Sequence, residues 1–224
     1  MKILCIADIH GDRESLLRLK RYAIDSKFEN ILILGDFSNY DTFRNREKSL
    51  EEVRFVLDLL SNFRVLAIPG NCDTPETLNL FDEYGVNLHE NSVVFNNSTI
   101  IGFGGSAPTP FDTPFEMEEK EIYEKLEKLL NGVKTERVVL VVHNPPLDTE
   151  CDITRLGVHV GSKAVRDIVE KFQPEILLSS HIHESGGSTD TIGKTKVVNV
   201  GPLTHEMFGI LHLNKDIDIE LSEL

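Results

Sequence analysis

Near the start of the chain, Ile3, Leu4, Cys5, Ile6 and Ala7 form an apolar run with no polar alternation. That pattern predicts a strand buried on both faces, the inner strand of a covered sheet. The run stops at Asp8-Ile9-His10-Gly11-Asp12, and similar punctuation returns further along. Apolar strands are predicted over 30–34, 64–68, 137–142 and 175–179. They end, in turn, at Gly35-Asp36, Gly70-Asn71-Cys72-Asp73, His143-Asn144 and Ser180-His181-Ile182-His183. Between them, Leu16, Leu17, Leu19, Tyr22 and Ala23 fall at helical spacing over 13–26. Further helices are predicted over 49–60, from Pro75 to about 84, over 116–131 and over 162–172. Strand followed by helix, repeated, is the grammar of a layered α/β sheet. Residues 92–96 and 98–103 read as paired strands joined by a tight turn at Asn96-Asn97. Strands over 196–200, 208–213 and 217–221 complete the order, and the long polar loops are 37–46 and 147–161.

Composition narrows the class. With 224 residues, 40% hydrophobic and 27% charged, the chain can bury a substantial core, and no linker divides it, so a single domain over 1–224 is expected. The formal net charge of -14 argues against a broad nucleic-acid-binding face and against an anionic membrane partner. Cys5, Cys72 and Cys151 are odd in number and far apart, and nothing suggests a disulfide framework or a zinc knot. No leader and no apolar stretch of membrane-spanning length is read, so a cytoplasmic location is expected.

The strand ends carry the chemistry. Asp8 and His10 are alternate residues, expected to leave an extended strand on the same side. An oxygen ligand and an imidazole aimed at one point suit a divalent transition metal. Gly11 permits a sharp turn, and Asp12 is placed to cap the next helix. Asp36, Asn71, His143, His181 and His183 follow the other apolar strands directly. Sites in α/β sheets open at the carboxyl ends of strands, so these loops are expected on one edge. Gly102 to Ser106 is glycine-rich but has no following lysine, and reads as a turn rather than a P-loop.

Together the blocks D-x-H, G-D, G-N-x-D, a histidine after a late strand and H-x-H resemble the calcineurin-like metallophosphoesterase superfamily, over Asp8 to His183. The resemblance implies an α/β fold, a four-layer α-β-β-α sandwich of two mixed β-sheets flanked by helices. It implies two divalent metal ions, manganese first, with iron, nickel, zinc, cobalt or magnesium as alternatives. One ion would take Asp8, His10 and His183, the other Asn71, His143 and His181, and Asp36 would bridge them. The implied activity is hydrolysis of a small phosphoester by in-line attack of a hydroxide held between the ions. Such a substrate is compatible with an acidic chain because metals reverse the local field.

Two positions depart from the pattern. Cys72 stands where many members carry a histidine that helps the leaving oxygen, and a thiol is a poorer hydrogen-bond donor. That favours phosphodiesters or activated esters, and prokaryotic members with Gly-Asn-Cys-Asp resemble phosphodiesterases. Ser180 replaces the usual glycine before His181. His159, just before a predicted helix start, is a candidate substitute proton donor, against the alternative of a solvated loop histidine. His205 and Glu206 are weaker candidates, and His89 and His212 read as structural or exposed. A phosphomonoesterase or nucleotide phosphatase is the alternative activity, and a protein-binding scaffold of the same fold the alternative class. The complete ligand set favours an enzyme, and homo-oligomerisation is compatible with either.

Overall fold

The apolar run at the start of the chain is β1 (Lys2–Ile6), and it lies at the centre of the first of two sheets. The structure, a computed structural model, describes residues 1–95, 97–135 and 137–224. In the first sheet β1 is flanked on one side by β2 (Asn30–Ile33) and β3 (Arg64–Ala67), all parallel, with Leu4 opposite Ile31 and Ile33 opposite Ala67. On its other side lie β10 (Met207–Leu213) and β11 (Ile217–Glu223), both antiparallel to their neighbours. The second sheet runs β4 (Asn91–Phe95), β5 (Ser98–Phe103), β6 (Arg137–Val142), β7 (Ile176–Ser179), β9 (Thr195–Asn199) and β8 (Thr189–Ile192). Its inner strands are parallel and its edge strands β4 and β8 are antiparallel.

Side-chain alternation assembles the layers. Leu4 and Ile6 face Leu16, Leu19 and Ala23 of α1 (Arg13–Asp25), Val53 and Leu57 of α2 (Arg46–Leu59), and Leu80 and Phe81 of α3 (Thr77–Tyr84). Ile3, Cys5 and Ala7 point the other way, meeting Val139, Val141, Leu178 and Val198 from the second sheet. The far face of that sheet, with Leu140, Val142, Leu177 and Val197, is covered by α4 (Glu119–Asn131) and α5 (Lys163–Phe172). The result is the α-β-β-α sandwich. Because β1 is buried on both faces, truncating one of its leucine or isoleucine side chains to alanine is expected to cost about 2–5 kcal/mol.

Several boundaries differ from the sequence expectation for local reasons. Helix α2 starts at Arg46 rather than 49, because the Asn45 side chain accepts the Lys48 N–H at 3.2 Å and caps it there. Helix α4 starts at Glu119 rather than 116. Glu116 instead accepts the Thr113 N–H at 2.8 Å and the Thr109 hydroxyl at 2.6 Å, tying the preceding loop. The polar edge strand β8 was not anticipated. The expected turn at Asn96-Asn97, and the end of the expected strand 92–96, fall on Asn96, which lies outside the described residues. Among the described residues no helix is long and apolar enough to cross a membrane.

Candidate metal centre

The carboxyl ends of β1, β2, β3, β6 and β7 meet where the two sheets face each other, and backbone hydrogen bonds lace the loops together. Asp8 N–H donates to Gly35 O at 3.0 Å, and His10 N–H donates to Asp36 O at 3.0 Å. Ser180 N–H donates to His143 O at 3.0 Å, joining the loops after β7 and β6. The His143 ring crosses between the sheets, its Nδ1 lying 2.7 Å from Leu34 O.

Asp8 and His10 converge by a route that strand alternation does not supply. The strand ends at Ile6, and Asp8 and His10 have φ of 48° and 42°. Asp36 and His181 share this left-handed conformation, with φ of 56° and 69°. Non-glycine residues held there cost about 1–3 kcal/mol each and persist only where the surroundings enforce them. Two glycines set the approach of the loops. Gly35 has φ of 100°, and a Cβ on it would lie 2.4 Å from Gly70 N; one on Gly70 would lie 2.0 Å from Asp36 Oδ1. Any side chain at either position would push Asp36 out of place.

Asp36 is the centre of the arrangement. Its Oδ2 lies 3.4 Å from His10 Nε2 and 3.4 Å from His143 Nε2, while its Oδ1 accepts the Cys72 N–H at 2.8 Å. Asp8 reaches the same space, with Oδ2 3.6 Å from His183 Nε2 and also accepting from the Ser180 hydroxyl. Asn71 Oδ1 lies 3.0 Å from His143 Nε2, and its amide nitrogen donates to Thr113 Oγ1 at 3.0 Å, which turns the oxygen inward. Burial alone would raise the carboxyl of Asp8, but the His183 and His143 charges outweigh it and lower it to about 2. Asp36 is likewise lowered against its burial by the His143 and His10 charges. Burial lowers His143, yet Asp36 prevails and raises it to about 9. For His181, burial and the His143 charge act together and lower it to about 4.

The residues fit a pair of divalent ions. Ligand atoms of Asp8, His10 and His183 lie within 4.8 Å of one another, as do those of Asp36, His143 and His181. His10 Nδ1 is 2.9 Å from Ser38 O, and His143 Nδ1 faces Leu34 O, so in both rings Nε2 is the nitrogen left for a metal. Asp8 Oδ1 and His10 Nε2 are buried with no hydrogen-bond partner, and both belong to the cluster. Unsatisfied buried polar atoms are expensive, and a cation would satisfy them. The nitrogen–oxygen donor set suits first-row transition metals. Cys72 Sγ also falls within 4.8 Å of ligand atoms of His10 and Asp36. Burial and then the Asp36 charge push its thiol well above the usual range, so it stays neutral.

The structure brings Asp8, His10, Asp36, Asn71, His143, His181 and His183 together, with Cys72 beside them. It does not bring His159 there. That ring sits in an exposed turn, its Nδ1 2.7 Å from the buried Asp152 carboxylate, which also accepts the Thr149 and Gly161 N–H groups and organises that loop. His205, rated below His159 on sequence, does line the cavity above the cluster. Asp12 caps α1, accepting the Ser15 N–H at 3.0 Å.

Three further side chains contribute, and only Ser180 among them carries a signal in the sequence. Tyr40 stacks on His10 with ring centroids 3.9 Å apart, and its hydroxyl is 3.2 Å from His183 Nδ1. Thr113 orients Asn71 from a loop distant in sequence, and the Ser180 hydroxyl engages Asp8, giving the departure from glycine a use. Asp73 could have been found from the last letter of Gly-Asn-Cys-Asp.

The family model for calcineurin-like phosphoesterases matches residues 1–185. An uncharacterized protein of Methanocaldococcus jannaschii, MJ1162, is 35% identical over 213 residues, covering 93% of this chain and 91% of its own. Among solved structures, TT1561 of Thermus thermophilus superposes with a TM-score of 0.74 at 18% identity, covering 99% of this chain and 98% of its own. A dimetal phosphatase from Danio rerio superposes with a TM-score of 0.71 at 13% identity, covering 100% and 96%. At those identities the two structures speak for the fold.

Proposed function

Because this chain belongs to the calcineurin-like phosphoesterase family, we propose that it is a metal-dependent hydrolase whose better substrates are small phosphodiesters. The observation that carries this reading is Asp36, whose Oδ2 stands 3.4 Å from both His10 Nε2 and His143 Nε2, which supports a carboxylate shared between two ions. A pair of divalent ions bound there would supply a nucleophile from water at neutral pH and neutralise charge on the phosphoryl oxygens. Manganese is the ion we propose, with iron, nickel, zinc, cobalt and magnesium as alternatives.

The chain's own residues prepare that chemistry. Asp8, His10 and His183 would hold one ion, Asn71, His143 and His181 the other. Backbone carbonyls of Ser38 and Leu34 fix the rings of His10 and His143. Cys72, buried and neutral, is a weak donor to a departing oxygen. The preference therefore falls on esters whose leaving group needs little protonation. The three cysteines are free, which supports a reducing, cytoplasmic setting.

The test is hydrolysis of bis(p-nitrophenyl) phosphate and of p-nitrophenyl phosphate by metal-stripped protein. Manganese, nickel, zinc and magnesium are added back in turn, with Asp36→Ala as control. Metal-dependent diester cleavage that the substitution abolishes supports the proposal. Faster monoester turnover would reverse the substrate preference. Stoichiometric metal binding without turnover would favour a binding scaffold.

A further inference from the structure

The candidate ligand cluster lines only one part of a cavity of about 860 Å³. That is near the upper end of the roughly 300–1,000 Å³ typical of small-molecule sites, and more than a phosphoryl group with two short ester arms would fill. Besides the cluster and Tyr40, which stacks on His10, the lining includes Phe43, Arg44, Phe111 and Arg155. Arg46, Arg137 and Arg166 are paired with carboxylates, but among the described residues neither Arg44 nor Arg155 forms an ion pair. In a chain of net charge -14, two guanidinium groups without an ion pair that line the same cavity stand out electrostatically. Asp41 and Glu184 also reach the lining, so the positive character is confined to the two guanidinium groups.

Arg44 is held ready for a ligand. Its Nη2 donates to Phe111 O at 2.8 Å, and its guanidinium carbon lies 5.3 Å from the Phe43 ring centroid. That leaves most of its donors free, in the planar fork that suits phosphate oxygens. Two aromatic side chains at the same cavity present surface to solvent: Phe111 is 69% exposed, and Tyr40, with one face stacked on His10, is 54% exposed. Exposed aromatic surface in a cavity that also holds two cations suits a planar ring attached to an anion.

Building on the phosphoesterase reading, we propose that Arg44 and Arg155 form a subsite for a second phosphoryl group, one that is not hydrolysed, with Tyr40 and Phe111 against a planar ring. The substrate class is then a nucleotide-type phosphodiester carrying an additional phosphate. A cyclic mononucleotide, with its single phosphate at the metals, would leave both arginines without a partner.

The test is calorimetric binding of adenosine 3′,5′-bisphosphate and adenosine 5′-monophosphate to the manganese-loaded protein and to Arg44→Lys, Arg44→Gln and Arg155→Gln. The bisphosphate is expected to bind about tenfold or more tightly than the monophosphate, as one charge-assisted contact set permits. That ratio should approach one in both glutamine variants and be partly retained in Arg44→Lys, with thermal melts establishing that each variant is folded. Equal affinity for the two nucleotides, or a preference that survives in both glutamine variants, overturns the subsite. Hydrolysis of bis(p-nitrophenyl) phosphate by the wild type separates the two readings, because that ester has no second phosphate. Cleavage without bisphosphate preference removes the subsite and leaves the phosphoesterase standing. Bisphosphate preference without cleavage of any ester removes the phosphoesterase and leaves the subsite.

Discussion

The carboxylate of Asp73 stands directly behind Asp36, with its Oδ2 accepting the Asp36 N–H at 3.0 Å and the Gly70 N–H at 2.8 Å. Its Oδ1 accepts the N–H groups of Phe37 at 3.0 Å and Ser38 at 3.1 Å, and the Ser38 hydroxyl at 3.1 Å. One buried side chain thus locks the loops after β2 and β3 around the Asp36 carboxylate. Burial and the Asp36 charge push the Asp73 carboxyl up to about 7, while the Gly70 and Ser38 hydrogen bonds and the His143 charge pull it down. Asp73→Asn keeps the shape but sets an NH₂ group against N–H donors. With each orphaned donor costing about 1–3 kcal/mol, the variant should lose at least about 2 kcal/mol in urea unfolding of the metal-free protein. A loss below about 0.5 kcal/mol, the range of an ordinary surface change, would show that the loops hold without it.

Tyr40 acts on two ligands of the same proposed ion. Its ring covers His10, and its oxygen can accept from His183 Nδ1 in the tautomer that leaves Nε2 free. Tyr40→Phe keeps the stacking and removes the hydroxyl, whereas Tyr40→Ala removes both. Loss of such an outer partner costs about 10–100-fold in metal affinity. The half-exposed position of Tyr40 puts Phe at the lower end and Ala above it. Titration against a competing chelator measures this. Equal affinities in all three proteins would remove Tyr40 from the support of the site.

What could be read from the sequence follows range of interaction. The buried strand at residues 3–7 and the polar punctuation after it are local, and they place the sheets and their functional edge. The left-handed backbone at Asp8, His10 and Asp36 is enforced by hydrogen bonds to loops tens of residues away, so strand alternation mispredicted how Asp8 and His10 converge. His159 sits before a helix start, as read, but the buried Asp152 carboxylate claims its ring, a contact its own heptapeptide does not announce. Tyr40 and Thr113 lie in loops without periodicity, and only the meeting of those loops gives them a role.

Metal uptake should release protons. His143 is raised to about 9 because the Asp36 charge prevails over burial, so at pH 7 the metal-free protein holds a proton on a ring that must be neutral to ligate. His183 is raised as well, against its burial, by Asp8. Asp8, lowered to about 2, is already ionised and contributes no change near neutrality. The folded pKa lies above the working pH, so affinity rises with pH, about tenfold per unit for each proton displaced, and levels off above about 9. Calorimetry in two buffers of different ionisation enthalpy counts the protons. A count of zero at pH 7, with affinity flat between pH 6 and 8, would mean these imidazoles are neutral before the metal arrives.

Cys72 offers the sharpest test of substrate preference. Its backbone N–H already holds Asp36 Oδ1, so the loop keeps its course whichever side chain follows Asn71. The neutral, buried thiol would protonate a leaving oxygen poorly. Cys72→His would place an imidazole with a pKa near neutrality at that point, and positioned acids of this kind contribute about 10²–10⁴-fold. A graft into a site shaped around sulfur should recover only part of this. A gain of about tenfold is expected for esters of poor leaving groups, and little change for p-nitrophenyl esters, whose oxygen leaves unaided. The measurement is the slope of log kcat against leaving-group pKa in both proteins, which should flatten in the variant. Parallel lines would mean that the group after Asn71 does not reach the departing oxygen, and would remove the ground on which a diester preference is proposed.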